Sequence, residues 1–395
     1  MAFATSRVGF NDPRVRRFLY QALLIGFIVA LVGGATYNAY SNMRARGIPM
    51  GFAFWDQVAG FEINLHLIEY SALSTYGRAF WVGLLNTFLV VVIAVPLATL
   101  LGFAVGVSRL SPNWLLSRLA LAYTTVFRNT PLLLQLLFWY NAVLKSLPAP
   151  RQSLSLGGVI FLNNRGVFLP APSLRPSAIW FLAAIGLAAL LSTGVSIWAR
   201  RRRDRTGFQT PVLTIALALV IGLPAIVVAV MGAPFELEVA RLSGFNLKGG
   251  LQAPPEMAAL IFGLVVFSAA FIAEVVRAGI QAVPRGQVEA ASALGLHRDL
   301  STRLVVVPQA MRLIVPPLTS QYLNIVKNSS LAVFIGYPDL VQIFAGTVLN
   351  QTQAAVQVMA ITMGVYLAIS LAVAALLNVY NARHSRQEGA AWTRR

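Results

Sequence analysis

The chain has 395 residues, of which 57% are hydrophobic and 11% are charged. Soluble proteins carry about 25% charged residues, so these figures exclude an ordinary soluble domain and indicate an integral membrane protein. The net charge of +18 does not indicate nucleic-acid binding, because most basic residues cluster in short loops between apolar spans, as membrane orientation requires.

Eight apolar stretches predict membrane-spanning helices, each of about 20 residues or more. They lie at about 18–37, 79–107, from the turn at 108–112 to about 147, 177–198, 211–231, 256–279, 313–334 and 354–380. The predicted fold class is therefore an all-α integral membrane protein with about eight transmembrane helices. A signal peptide is the alternative for the first stretch, but its length and the lack of a small-residue cleavage site favour a retained anchor.

The segments between these spans set the predicted orientation. Residues 38–78 are mixed and predicted to lie at the external surface, and 148–176 form an external loop rich in proline, glycine and serine. An apolar segment at 340–348 is a candidate for partial re-entry into the membrane. Arginines concentrate on the side that holds both termini and residues 284–308, so that side is predicted to be cytoplasmic.

Few residues are available for chemistry on this chain. Cysteine is absent, which excludes disulfides and thiolate chemistry, and three lysines and three histidines leave little material for a metal or acid–base site. We predict no catalytic residue and no metal site. No G-x-x-x-x-G-K-[ST] motif is present, so an ATP-driven activity would need a separate ATPase.

The polar segment 284–308 interrupts the apolar spans. Pro284 and Gly286 mark its start, about two helical turns follow, and Gly295 supplies the left-handed residue that ends such a helix. A second short helix is predicted from about Asp299. Two short helices joined at a glycine form a compact knob that a partner can approach closely.

This segment resembles the EAA coupling loop of ABC-transporter permeases: Glu-Ala-Ala, three residues, Gly, nine residues, Ile, one residue, Leu-Pro. The matching positions are Glu289, Ala290, Ala291, Gly295 and Pro308, with valines in place of the isoleucine and leucine. The resemblance implies that the loop docks on a cytoplasmic ATPase and transmits its power stroke. An ordinary polar helical hairpin is the alternative. His297, inside the loop, is interpreted as an interface residue.

Other segments resemble the polar amino-acid ABC permeases in particular. They are 127–135, 274–279 with 284–287, and 327–331. The similarity covers 79–147 and 256–380, which it identifies as the two parts of a type I importer permease core.

Residues 148–255 depart from the short five-helix members of that family. This insert, with two extra spans, resembles the longer permeases of general and acidic or amide L-amino-acid uptake systems, as does the stretch 51–63. Residues 1–78 then form a cytoplasmic tail, anchor helix and external segment, and 381–395 a cytoplasmic tail.

The resemblance implies a bacterial inner-membrane importer subunit with both termini in the cytoplasm. Its expected partners are an ABC ATPase, a second homologous permease in a heterodimer, a periplasmic amino-acid-binding protein, the amino acid and membrane lipids. No cofactor is expected on this chain, since ATP and Mg²⁺ would bind to the partner ATPase.

Lys327 is the main candidate for the substrate path. It lies about 14 residues into a predicted span, roughly 20 Å along the helix, and a charge at the bilayer centre costs about 3 kcal/mol or more. It should therefore face protein or a water-filled path, where it could meet a substrate carboxylate. Asn324, Asn328 and Ser329 supply hydrogen-bonding groups nearby. The alternative is that Lys327 only locks helix packing.

Three further polar residues are candidates for the path. Glu274 could receive a substrate ammonium group, although Arg277 at the i+3 position favours a structural salt bridge. Arg128 and Asn129, before Pro131, could line the path at a broken helix, or Arg128 could extend to the membrane interface.

Two other classes of protein fit the sequence less well. An ion- or proton-coupled secondary transporter would need carboxylates at mid-membrane, and Glu274 is the only carboxylate well inside a predicted span. A membrane anchor or assembly factor would leave the intramembrane lysine unexplained.

Overall fold

The computed structural model describes residues 13–45, 47, 51–208 and 210–392, and the side chains of 16–45, 47, 51–208 and 210–375. The start of the predicted N-terminal tail and the last three residues of the predicted C-terminal tail lie outside the described residues. The chain forms two compact units. One extends to Val95 and resumes at Ala278, and the other is Pro96–Arg277.

Helices make up most of the described chain. The α-helices are α1 (Pro13–Ala45), α2 (Tyr76–Ser108), α3 (Trp114–Asn129), α4 (Leu132–Leu137), α5 (Ser177–Thr206), α6 (Val212–Met231), α7 (Pro255–Gln281), α8 (Arg285–Ala293), α9 (Arg298–Ser301), α10 (Val307–Asn328), α11 (Leu349–Thr352) and α12 (Ala355–Trp392). Shorter 3₁₀ or π-helical pieces are Ala53–Asp56, Phe138–Leu144, Pro150–Gln152, Thr302–Val306, Ser329–Ile335 and Val341–Val348.

Six helices of the described chain are long and apolar enough to cross a membrane: α1, α2, α5, α6, α7 and α12. The other two predicted spans are also helical. The predicted third span breaks at Pro131 into α3 and α4. The predicted seventh span, 313–334, covers most of α10, which continues through Pro316 and Pro317, and the 3₁₀ piece Ser329–Ile335. The mostly helical membrane fold is therefore confirmed.

A glutamine compensates for the break before α4. Gln135 donates from its side-chain amide to the carbonyls of Phe127 (3.1 Å) and Thr130 (3.0 Å). Pro131 has no N–H to offer the preceding turn, and carbonyls left free at membrane depth are costly. The glutamine side chain satisfies them and holds the break in place.

Residues 51–75 pack against the helices of the first unit. Asn86, ten residues into α2, donates from its amide to the carbonyls of Leu65 (2.8 Å) and Pro338 (2.9 Å). Ten residues of helix rise by about 15 Å, so the segment follows α2 well past its first residue. An aromatic cluster fills the space between them: Phe54, Trp55, Tyr76, Phe80 and Phe344.

The sequence predicted that the mixed stretch 38–78 lies at the external surface, and the structure adds detail to this stretch. α1 continues to Ala45, and residues 51–75 form a folded cover on α2. Tyr70 in this cover donates to the carbonyl of Phe61 (3.1 Å). Burial and the nearby Glu62 carboxylate raise the pKa of Tyr70 to about 12, so this phenol remains a neutral donor at physiological pH.

The second unit contains a β-module that the all-α prediction missed. Its strands are β1 (Leu154–Leu156), β2 (Ile160–Asn163), β3 (Gly166–Leu169), β4 (Ala171–Leu174), β5 (Phe235–Glu238), β6 (Arg241–Ser243), β7 (Asn246–Lys248) and β8 (Leu251–Ala253). They form an antiparallel sheet in the order β1-β2-β3-β8 and two pairs, β4-β5 and β6-β7. Phe168, Ala240 and Leu247 form its small core.

α5 and α6 form a hairpin whose two ends meet at the β4-β5 pair. Leu174 pairs with Phe235, and the Arg175 N–H donates to the Pro234 carbonyl at 3.1 Å. α5 continues past the predicted end of its span through the arginine run to Thr206, where Gly207 ends it in the left-handed conformation. The predicted insert 148–255 is thus a helix hairpin mounted on a β-module.

Candidate coupling loop and translocation path

The segment after α7 forms the predicted pair of short helices. α8 starts after Pro284, and α9 follows the turn at Gly295, whose φ of +76° is the left-handed conformation. The turn closes by hydrogen bonds from the Leu294 N–H to the Ala290 carbonyl and from the Leu296 N–H to the Ala291 carbonyl, both 3.1 Å. The predicted geometry of two helices joined at a glycine is confirmed.

The inner side of this helix pair is anchored to α10. Ala291, Ser301 and Ala310 are buried. The Gln309 side chain donates to that of Gln287 on α8 at 3.4 Å. Gly279, near the end of α7, lies against Ile314 of α10 so closely that a Cβ would overlap it. The helix pair is therefore fixed to the start of α10 and can move with it.

The outer side is exposed and mixes apolar with charged side chains. Four exposed apolar residues project from it: Val288, Leu294, Leu300 and Leu304. Of the predicted coupling residues, Glu289, Ala290, Gly295, His297 and Pro308 are exposed, whereas Ala291 is buried.

One face of α10 is exposed and polar. Ile314, Leu318 and Ile325 face the core of the first unit, while Ser320, Asn324 and Lys327 are exposed on the opposite side. These three lie at i, i+4 and i+7, which places them on one stripe. Within the part of the chain that the structure describes, the Lys327 side chain makes no ion pair or hydrogen bond.

Two other predicted path residues lie at the end of α10 and differ in exposure. Asn328 is half-buried. Ser329 is buried, and its hydroxyl donates to the Val326 carbonyl at 2.8 Å. The structure therefore groups Asn324 with Lys327 on the open face and places Ser329 inside the unit.

Glu274 lies among three arginines in the second unit. It pairs with Arg277 on its own helix and with Arg109 just after α2, and Arg128 approaches the same carboxylate at 3.6 Å. Both carboxylate oxygens are therefore occupied by guanidinium groups, which leaves little room for a substrate ammonium group. Asn129, beside Arg128, is exposed at the end of α3.

A buried polar network in the first unit was missed by sequence reasoning. Asp339 is 1% exposed. One of its oxygens accepts from the Gln342 N–H (2.8 Å) and the other from the Tyr366 hydroxyl (3.2 Å). Beside it, the Tyr337 hydroxyl donates to the Asn86 carbonyl (3.0 Å). The signal for this network in the sequence was Asn86 and Thr87, two polar residues inside the mostly apolar α2.

Among the residues that the structure describes, no group of three or more His, Cys, Asp or Glu side chains could hold a metal ion. The described residues instead form a multi-pass membrane protein with an exposed pair of short helices, α8–α9, and an exposed polar face on α10.

Comparisons with known proteins identify the family. Residues 192–387 match the model of the binding-protein-dependent transport system inner membrane component. The permease protein YhdX of Escherichia coli (strain K12) is 50% identical, over 95% of this chain and 96% of its own length. The general L-amino acid transport system permease protein AapQ of Rhizobium johnstonii is 45% identical, over 95% and 94%.

A third relative matches nearly as completely. The glutamate/glutamine/aspartate/asparagine transport system permease protein BztB of Rhodobacter capsulatus is 38% identical, over 94% of both chains. The chain belongs to the family of permease subunits of binding-protein-dependent ABC importers. Membership of this family supports the resemblance found in the sequence and leaves the secondary-transporter alternative without support.

Proposed function

We propose that this chain is an inner-membrane subunit of an ATP-driven importer for L-amino acids of the polar, acidic or amide, or broad-range class. The names of its two relatives AapQ and BztB support the substrate class. The observation that carries the proposal is the exposed helix pair α8–α9, joined at Gly295 and fixed to α10.

In this proposal the helix pair is the contact with a cytoplasmic ATPase. Glu289 and His297 present charge and hydrogen-bonding capacity, the exposed leucines present apolar surface, and the left-handed Gly295 sets the angle between the helices. Ala291 and Ala310 sit at the buried base. ATP and Mg²⁺ bind to the partner ATPase, and its closure moves α8–α9 together with α10.

The open face of α10 is proposed to line the substrate path. A lysine at such depth cannot face lipid without a cost of about 3 kcal/mol or more, and the chain provides no counter-charge for Lys327 among its described residues. A second homologous permease, packed opposite, would enclose the stripe of Ser320, Asn324 and Lys327 in water. A periplasmic binding protein delivers the amino acid, and both termini lie in the cytoplasm.

Isolation of the chain from its native membrane tests the proposal. We expect a P-loop ATPase and a second permease to co-purify, and the complex in proteoliposomes to import an L-amino acid only with ATP and the binding protein. Transport by the chain alone, with no ATPase attached at any salt concentration, would overturn the proposal.

Substitution of Glu289 tests the coupling contact itself. Glu289→Lys is expected to lower ATP-driven uptake by at least about tenfold, because a reversed charge at a docked surface costs several kcal/mol, while the two permeases still assemble. Arg298→Glu reverses a neighbouring charge for comparison. Loss of the Glu289→Lys protein from the membrane would instead assign Glu289 a folding role.

A further inference from the structure

Three guanidinium groups surround one carboxylate in the second unit. Arg109, Arg128 and Arg277 all approach Glu274, so the cluster carries more positive than negative charge. Glu274 lies seven residues before the last residue of α7, about 10 Å along the helix. An uncompensated charge at this level of a membrane protein requires water, an anion or both.

The hydrogen bonds show which arginine is in excess. One oxygen of Glu274 accepts twice from Arg277 and the other accepts from Arg109. The nearest nitrogen of Arg128 is 3.6 Å from the oxygen that Arg109 already occupies, which is beyond hydrogen-bond distance. The Arg128 side chain is 41% exposed, against 15% for Arg109 and 26% for Arg277. Arg128 donates no hydrogen bond to any residue that the structure describes.

Two contacts nevertheless fix the Arg128 guanidinium. It lies over the ring of Phe271, 5.4 Å from the centroid, and Glu274 attracts it from the next turn of the same helix. Arg128 itself projects from the end of α3, where Pro131 interrupts the chain. A planar guanidinium held on one side with its donors open on the other is suited to receive a carboxylate in two parallel hydrogen bonds.

We infer that Arg128 is a carboxylate-binding residue of the translocation path near its cytoplasmic end. The inference rests on the proposed import of L-amino acids and adds the chemistry of one contact: Arg128 binds the α-carboxylate, the group that every such substrate shares. Glu274 is a positioning residue, which holds three guanidinium groups and leaves the third free for a ligand.

Equilibrium binding to the purified complex, without binding protein and in nanodiscs of phosphatidylcholine, tests this inference. The probe is the labelled L-amino acid that the wild-type complex imports fastest, and the competitor is the α-amide of that amino acid. Wild type should prefer the acid by about tenfold or more, because a hydrogen bond to a charged group contributes about 1.5–3 kcal/mol.

Four variants separate recognition from folding. Arg128→Gln should lower the preference for acid over α-amide to about one, and Arg128→Lys should restore part of it. Arg118→Gln, an exposed arginine on the same helix, should keep the full preference. Glu274→Gln should change the preference as well, because the three guanidinium groups would rearrange.

The remaining outcomes are distinct. An unchanged preference in Arg128→Gln, or wild type that binds no amino acid or does not discriminate, overturns the inference while ATP-driven import stands. A defect of Arg128→Gln that appears only with anionic lipid assigns the guanidinium to a lipid phosphate and also overturns it. If the wild-type complex shows no ATP-driven import, the proposed function fails, whatever the binding result.

Discussion

Lys327 and the core residues beside it have opposite environments on one helix. Ile325 and Val326 are buried in the first unit, whereas Lys327 is exposed on the open face of α10. Side chains that hold a fold together are enclosed by it, so the exposure of Lys327 favours a role in the path over a role in packing.

Lys327→Ala is therefore expected to reduce uptake by about tenfold or more, through loss of a charge-assisted contact. ATPase activity stimulated by the binding protein should persist, because α8–α9 are untouched. Lys248→Ala, on the exposed end of β7, serves as the control and should transport normally. If the KM and the rate of transport are unchanged in Lys327→Ala, this lysine has only a packing role.

We expect Glu274 to stabilise the folded chain more than an exposed carboxylate that has only one ion-pair partner. Glu274→Gln should lower the free energy of unfolding by about 2 kcal/mol, because two charge-assisted pairs in a partly buried site are lost. Glu236→Gln is the matched control: Glu236 pairs with Arg175 at 3.0 Å but is 59% exposed, and such pairs contribute about 0–1 kcal/mol. Melting temperatures in detergent compare the two, and equal shifts would contradict this ranking.

Two glycines of α2 bring α2 and α7 into close contact within the second unit. A Cβ at Gly106 would lie 2.7 Å from the Ala273 carbonyl oxygen and 2.8 Å from the Val276 Cβ, and Gly102 meets Ile272 in the same way. This spacing of four residues is the small-residue pattern that lets membrane helices approach closely. It also brings Arg109, three residues beyond Gly106, to Glu274.

Gly106→Leu is expected to separate α2 from α7 and to cost about 1–3 kcal/mol, the usual range for overpacking. Because it also displaces Arg109, its effect and that of Glu274→Gln should be less than additive in the double variant. Gly194→Leu, on a part of α5 with open space around the glycine, is the control. Additive losses of melting temperature would show that the two sites are independent.

The sequence predicted the elements whose signals are local. Long apolar runs specified α1, α2, α5, α6, α7 and α12, and the Pro284 and Gly295 positions specified the helix pair between α7 and α10. Hydropathy and backbone preference are properties of a short stretch of sequence, so these elements can be predicted without knowing what they pack against.

The elements that were missed depend on partners distant in the chain. β3 pairs with β8 across the whole α5–α6 hairpin, as Val167 with Ala253, and three- to four-residue strands carry little periodic signal of their own. The break at Pro131 is stable only because Gln135 satisfies its carbonyls. The Glu274–Arg277 pair was foreseeable from its spacing, whereas the approach of Arg109 and Arg128 required the packing of three helices.

For the molecule as a whole, the α5–α6 hairpin of the second unit begins and ends at two adjacent, paired strands. The two helices pack chiefly on one another, and their ends emerge from adjacent strands, with the Arg175 N–H bonded to the Pro234 carbonyl. Residues 176–233 can therefore be replaced by an Asn-Gly turn, which joins antiparallel strands in two residues. Because an even number of spans is removed, the helices after the deletion keep their orientation in the membrane.

We expect the shortened chain to insert, to keep α8–α9 on the cytoplasmic side and to assemble with its partners. Because the protein has no cysteine, Ser292→Cys on the exposed side of α8 introduces a single thiol, and its labelling by an impermeant maleimide reports sidedness. Labelling only in inside-out vesicles is expected for both the full and the shortened chain. A chain that lacks α5 but keeps α6, and so loses an odd number of spans, is the control. Labelling of the shortened chain from the outside, or its loss from the membrane, would mean that the hairpin directs insertion of the helices on either side of α8–α9.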